Sequence, residues 1–203
     1  MGLYARHVRP RLLDATLADA HTGPTRSRVC AGLSGDVLEI GFGSGLNLPH
    51  LPPQVRSLSA VDPSQVAFRR SAARRAASPV PVTVVGDDAQ QLSLPDHSVD
   101  AALSTWNLCG IDDPDAALRE VRRVLRPGGA LHFVEHGLAP DPSVRRWQRR
   151  GNWLNRRVAG CLLDRDVRAL LHASGFTVTS LETYYEPRAP RPAGFFYEGR
   201  ATA

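Results

Sequence analysis

The residues best placed to do chemistry sit in the run Val37-Leu-Glu-Ile-Gly-Phe-Gly-Ser-Gly45, where three glycines alternate after an apolar stretch. Glycine has no Cβ, so a strand that hands such a run to a helix brings bare backbone against a ligand. Dinucleotide sites use a similar device with the spacing GxGxxG, but here the third glycine would have to stand at Leu46 or Leu48. Glu39 lies two residues ahead of the first glycine. A carboxylate there is unfavourable beside a pyrophosphate and favourable beside a positively charged group.

Two more acidic positions complete the constellation. Asp62 closes the second apolar run, where a carboxylate can accept from both hydroxyls of a ribose. Asp88-Ala89 follows the third, where a carboxylate can accept from an exocyclic amine while the next N–H donates to a ring nitrogen. Asp87 is equally placed by register. A cationic amino-acid end, a ribose and an adenine are the three parts of S-adenosylmethionine (SAM). Plainer readings stand beside these: a tight strand-to-helix turn for the glycines, a helix cap for Asp62, a turn residue for Asp88.

Such residues meet only if strands deliver them to one edge of a sheet. Apolar runs of strand length at 36–40, 56–61, 80–85, 99–104, 130–135, 176–184 and 194–201 alternate with stretches of helical period. Helices are expected over 65–77, from Pro114 with Asp113 as cap to the stop Pro127-Gly128-Gly129, over 142–157 and over 164–173. One or two more precede Leu33. The alternation predicts an α/β fold, a seven-stranded mostly parallel sheet with helices on both faces. At 203 residues the chain reads as one domain. Its expected parts are a helical cap over 1–32, a ligand-binding core over 33–136, and a lid with the C-terminal strands over 137–203.

LEIGFGSG, the strand end at Asp62, GDDAQQLSLPDHSVD and LREVRRVLRPGGALHFVEH together resemble the class I SAM-dependent methyltransferases, in particular the small ubiquinone/menaquinone-type branch. The likeness covers residues 33–136. A weaker one, in Glu135-His136, Leu108-Cys109 and Gly160-Cys161, is to the methyltransferase-like thiol S-methyltransferases associated with lipid membranes. The resemblance implies a Rossmann-like fold, SAM as cofactor and S-adenosylhomocysteine as product. It implies that Gly41, Gly43 and Gly45 face the methionine portion and that Glu39 holds the amino group. Asp62 would take the ribose hydroxyls, Pro63 and Ser64 would shape the adenine slot, and Asp88 and Ala89 would contact the adenine. Thr105, Trp106 and Asn107 follow strand four, where the family lines the methyl-transfer channel. Tyr4 would correspond to an N-terminal aromatic that closes over the cofactor in some members. Trp106 reads equally as core.

Methyl transfer from a sulfonium asks little of a protein beyond orientation and a dry channel, and alignment alone can supply roughly 7–11 kcal/mol. A base is needed only where the acceptor must lose a proton. Glu135 and His136, at the end of strand five, are the candidates, with His136 reading equally as a structural hydrogen-bonder. Trp147, Trp153 and Leu154 are expected to cover the site as a lid, with Tyr184, Tyr185, Phe195 and Phe196 as further wall or as core. Cys109 reads as a small apolar filler. The expected function is direct in-line transfer of a methyl group to a small-molecule thiol, hydroxyl or quinone-like carbon. A cofactor-binding regulatory protein without turnover and a nicotinamide-dependent oxidoreductase are the alternatives.

Composition narrows the partners. Hydrophobic residues make up 42% and charged ones 22%, a globular balance. The net charge is +5, every basic residue is an arginine, and the arginines are dispersed. A nucleic-acid groove concentrates such charge on one face, and the place after strand four lacks the Asn/Asp-Pro-Pro-aromatic motif of amino-directed nucleic-acid enzymes. No nucleic-acid partner is expected. Cys30, Cys109 and Cys161 lie far apart without a CxxC pair, which predicts neither a disulfide framework nor a metal site, and a reducing compartment. No apolar run nears the roughly 20 residues that cross a bilayer, and residues 1–20 lack the apolar core of a signal peptide. The expectation is a cytoplasmic protein; membrane contact at the arginine-flanked lid and the oligomeric state stay open.

Overall fold

The computed structural model describes residues 4–203. Seven strands, β1 (Gly35–Ile40), β2 (Val55–Val61), β3 (Val82–Gly86), β4 (Val99–Thr105), β5 (Leu125–His136), β6 (Thr177–Tyr185) and β7 (Phe195–Thr202), form one sheet. The order is β3-β2-β1-β4-β5-β7-β6. Strands β1 to β5 pair in parallel, and β7 runs antiparallel to both of its neighbours. The fold is the α/β, Rossmann-like, mostly parallel sheet that the alternating pattern predicts.

A π-helical turn (Tyr4–Val8) leads into α1 (Arg9–Thr16) and α2 (Asp19–Cys30). Downstream lie α3 (Gln65–Arg70), α4 (Ala72–Ala77), α5 (Pro114–Val124), α6 (Pro142–Val158) and α7 (Val167–Ala173). Period-two alternation sends Leu38 and Ile40 to one face of the sheet, where they share a core with Leu118 and Val121 of α5 and Leu171 of α7. Val37 and Leu103 turn to the other face and pack with Val29 and Cys30 of α2. Helices on both faces explain why the central strands read as nearly continuous apolar runs. Among the described residues no helix is long and apolar enough to cross a membrane.

Three elements depart from the sequence expectation, each for a local reason. The single helix expected over 65–77 is two, because the buried Ser71 hydroxyl donates to the Phe68 carbonyl at 2.6 Å and accepts from Arg75 Nε at 2.9 Å. A serine side chain that competes for backbone partners interrupts a helix. Strand five starts at Leu125 rather than Ala130: Val99 pairs with Leu125 and Ala101 with Ala130, so Pro127-Gly128-Gly129 bulges within the strand instead of ending the preceding helix. The helix expected from 164 begins at Val167, because Asp166 is the cap that accepts from the Ala169 amide, while Asp164 accepts from Asn152 Nδ2 at 2.6 Å.

Phe133, fully buried in the middle of β5, tests this core. Phe133→Ala should cost about 3–5 kcal/mol, read as a lowered urea midpoint with an unchanged slope.

Candidate active site

The C-terminal ends of β1, β2, β3 and β4 line one edge of the sheet. From β1 the chain passes to β2 on one side, and β4 lies on the other, so the two sets of loops diverge and leave a crevice. A cavity of about 940 Å³ opens there. Its wall includes Glu39, Gly41, Gly43, Asp62, Pro63, Ser64, Asp88, Ala89, Thr105, Trp106 and Asn107. Gly45 is not in the wall; a Cβ there would press on Leu48 and Phe42 at 3.0 Å.

Glu39 is 1% exposed. Its Oε1 accepts from Asn47 Nδ2 at 2.7 Å, and its Oε2 has no hydrogen-bond partner among the described residues. Burial pushes its pKa up to about 8, against the opposing pull of the Asn47 bond and the Arg26 guanidinium. Arg26, itself buried, donates to Asn47 Oδ1 at 2.6 Å and to Thr105 Oγ1 at 3.3 Å, and its guanidinium lies 4.9 Å from the Trp106 ring centre. Asn47 Nδ2 also reaches Thr105 Oγ1 at 3.0 Å. The result is a polar knot at the cavity floor with one carboxylate oxygen unengaged.

The glycine loop is fixed from both sides. Gly41 has φ +77°, and a Cβ there would fall 2.2 Å from Asn107 Cγ, so the loop can meet the turn after β4 only as glycine. The Gly43 amide donates to Asp62 Oδ2 and the Ser64 amide to Asp62 Oδ1, each at 2.7 Å. Burial raises the Asp62 pKa while the two amides lower it. A carboxylate has about four lone-pair sites, so Asp62 can hold its own loop and still accept from a diol. Ser64 caps α3 by accepting from the Ala67 amide at 3.2 Å. Asp88 Oδ1 accepts from the Gln90 amide and from Gln90 Nε2, both at 2.9 Å, and Asp87 borders the cavity beside it.

The sequence profile of the Methyltransferase domain family matches residues 38–133. Human thiol S-methyltransferase TMT1B is similar to this chain, 34% identical over an alignment of 179 residues, with 84% of this chain and 72% of that protein covered. The chain belongs to the class I SAM-dependent methyltransferases. A demethylmenaquinone methyltransferase of Clavibacter sepedonicus is 31% identical over 121 residues, covering 59% of this chain and 49% of that one. The fold is shared with a SAM-dependent methyltransferase from Aquifex aeolicus (TM-score 0.67, 17% identity, 96% of each chain covered). It is shared also with one from Thermotoga maritima (TM-score 0.66, 21% identity, 97% of this chain and 98% of that one).

The methyltransferase's own residues fit SAM. The unengaged Glu39 Oε2 is a buried acceptor suited to an ammonium, and the Gly41–Gly43 cradle admits close backbone approach. Asp62 and Asp88 stand at neighbouring strand ends, where a nucleoside would span them.

Other expected site residues fall elsewhere. Glu135 is fully buried behind the wall: its Oε1 accepts from Ser104 Oγ at 2.6 Å and from the Asn107 amide at 3.1 Å. It fastens the turn after β4, in which Trp106 adopts φ +50°, a conformation non-glycine residues rarely hold without support. Burial lifts the Glu135 pKa to about 7. His136 is outside the wall too, its ring edge-on to Phe196 at 5.1 Å and its pKa pressed down to about 4 by burial. Trp147 and Trp153 of α6 are each 63% exposed and do not line the cavity, so they form no lid here. Tyr4 donates to the Val158 carbonyl at 3.2 Å instead of closing over the cavity. Tyr184, Tyr185, Phe195 and Phe196 do not line the cavity; Tyr184 packs on Phe196 and Tyr185 on Phe195, and Phe196 backs the Trp106 ring from behind the wall.

Sequence reasoning missed the wall that α1 supplies. Arg9, Pro10, Leu13, Asp14 and Leu17 border the cavity, and Asp14 joins the glycine loop by accepting from Ser44 Oγ and from Arg70. Arg26 and Asn47 were missed as well. Asn47 carried a signal, being a polar residue two positions past the last glycine; Arg26, in a helix with many polar residues, carried none.

With Glu39 as the partner of the SAM ammonium, cofactor binding would be proton-linked. Below about pH 8 it is protonated, and an α-amino group holds its own proton up to about pH 7.7–8.0. The bound ammonium–carboxylate pair keeps one proton between them, so binding should release a proton at about pH 6.5 and take one up at about pH 9. Affinity should peak near pH 8. Calorimetry of SAM binding in buffers of different ionisation enthalpy reads the sign, and Glu39→Gln should abolish the release at the lower pH.

Proposed function

We propose that this methyltransferase moves the methyl group of SAM to the sulfur of a small, largely apolar thiol. The observation that carries the reading is the chemistry of the cavity wall. Among the described residues the wall holds no histidine, lysine or tyrosine, so no side chain near Trp106 and Asn107 is suited to strip a proton from an alcohol or phenol. Asp112 borders that end, but its carboxylate is taken by Arg156 at 2.6 Å. A thiol ionises on its own with a free pKa of about 8.5, and its thiolate is already the nucleophile. The similarity to human thiol S-methyltransferase TMT1B over 84% of this chain supports the same acceptor. A reducing cytoplasm, where small thiols stay reduced, suits it too.

When bound, SAM supplies a methyl on a sulfonium that a thiolate takes directly, leaving S-adenosylhomocysteine. In this reading Glu39 anchors the amino group, Asp62 the ribose hydroxyls, and Asp88 with the Ala89 amide the adenine, while Pro63 and Ser64 shape the slot around the base. Thr105 and Asn107 hold the floor at the methyl end, and Trp106 offers the apolar face on which the acceptor rests. Leu13 of α1 and Leu17 just beyond it line the cavity with apolar surface, which would limit water and keep the sulfonium from side reactions.

Two measurements test this. Asp62→Ala removes a doubly bonded loop anchor together with the diol acceptor, and SAM affinity should fall by about 100-fold or more, given about 1.5–3 kcal/mol for each charge-assisted bond; unchanged calorimetric affinity would reject the ribose assignment. In a series of thiol acceptors of differing acidity, the pH dependence of kcat/KM should track the thiol pKa of each acceptor. A single inflection shared by every acceptor would instead expose an enzyme base.

A further inference from the structure

The fold gathers three soft ligands that the sequence scatters. Cys109 follows β4, His136 ends β5, and Cys161 follows α6, yet Cys109 Sγ, a His136 ring nitrogen and Cys161 Sγ all lie within 4.8 Å of one another. The geometry points to a zinc site made by Cys109, His136 and Cys161.

The distances suit the ion. Tetrahedral zinc with Zn–S near 2.3 Å and Zn–N near 2.0–2.1 Å sets a sulfur and a nitrogen ligand about 3.5 Å apart. Cys109 Sγ and His136 Nδ1 are 3.6 Å apart. Cys161 Sγ lies within 4.8 Å of both. A backbone bond already holds the two cysteine loops together, the Leu162 amide donating to the Cys109 carbonyl at 2.9 Å, and Asn155 Nδ2 of α6 steadies the Cys161 carbonyl at 2.9 Å. A Cβ on Gly110 would sit 3.2 Å from the Gly160 carbonyl, which shows how closely the loops pass.

The chemistry of the set agrees. Two thiolates and an imidazole select zinc over magnesium or calcium, which prefer oxygen. Binding releases the two thiol protons to solvent and leaves the histidine neutral. The dication and two thiolates then sum to zero charge, which a buried site requires. Three protein ligands leave a fourth position for water. Cys161 borders the cavity, so the ion would fasten the segment after α6 against the sheet edge as part of the cavity's wall. This assignment does not rest on the thiol acceptor, since metal is measured with no acceptor present.

The full chain, purified under reducing conditions, is assayed for bound metal by mass spectrometry and for zinc affinity by competition with a chromogenic chelator. Cobalt(II) substitution then reports the ligands. The expected result is one zinc per chain, and a cobalt form with thiolate-to-metal charge-transfer absorption and intense tetrahedral bands. Both should be lost in Cys109→Ser and Cys161→Ser, weakened in His136→Ala, and kept in Cys30→Ser, whose thiol lies in the other core. A chain that carries no zinc and does not compete with the chelator overturns the site, and that measurement needs no variant to fold. So does a cobalt spectrum indifferent to Cys161→Ser, or a Cys109–Cys161 disulfide in the reduced preparation.

Discussion

A carboxylate held almost out of water governs the rest of this molecule. Glu39 sits on a central strand between a buried arginine, an asparagine and a threonine, with one oxygen engaged and the other without a hydrogen-bond partner among the described residues. Burying an anion is unfavourable unless partners are supplied, and here the protein supplies fewer than the group can use. In the proposed reading a ligand ammonium would be the further partner that lets the carboxylate ionise. A local cost of this kind is common at functional sites.

Around that group the loops serve one another. The glycine loop is bonded by Asp62 from the neighbouring strand, and it can approach Asn107 because Gly41 has no Cβ. The turn that carries Asn107 is in turn fastened by Glu135, whose carboxylate also takes the Ser104 hydroxyl. Trp106 keeps an uncommon backbone conformation within this turn, braced by Arg26 over its ring and by Phe196 at its edge. Glu135 therefore acts as a brace for the wall rather than from within it. The same brace makes the floor rigid, and direct methyl transfer depends on alignment more than on proton traffic.

The cover of the cavity comes from the N-terminal side. Helix α1 lines the cavity and is tied to the glycine loop and to α3–α4 through Asp14, Ser44, Arg70 and Arg74. Helix α6, by contrast, turns its tryptophans to solvent beside arginines, with Arg157 lying 5.4 Å from the Trp153 ring centre. Long basic side chains shield such aromatics by covering their faces.

The sequence by itself determined the strands, most of the helices and the strand-end residues that meet in the cavity wall. Period-two alternation, proline and glycine stops and the spacing of Glu39, Gly41, Asp62 and Asp88 are local properties, and each strand end had to bring its residue to the same edge. Whether Glu135 and His136 faced the cavity was a different kind of question. Both stand at the correct strand end, but side-chain direction and the closeness of neighbouring loops depend on how distant segments pack. Tertiary structure alone turned Glu135 behind the wall, left Trp147 and Trp153 outside, and put Arg26, α1 and Asn47 around the carboxylate. It also brought Cys109 and Cys161 within 4.8 Å of each other. Contacts between residues far apart in the chain leave no periodic trace in it, because only packing of the whole sheet decides which loops meet.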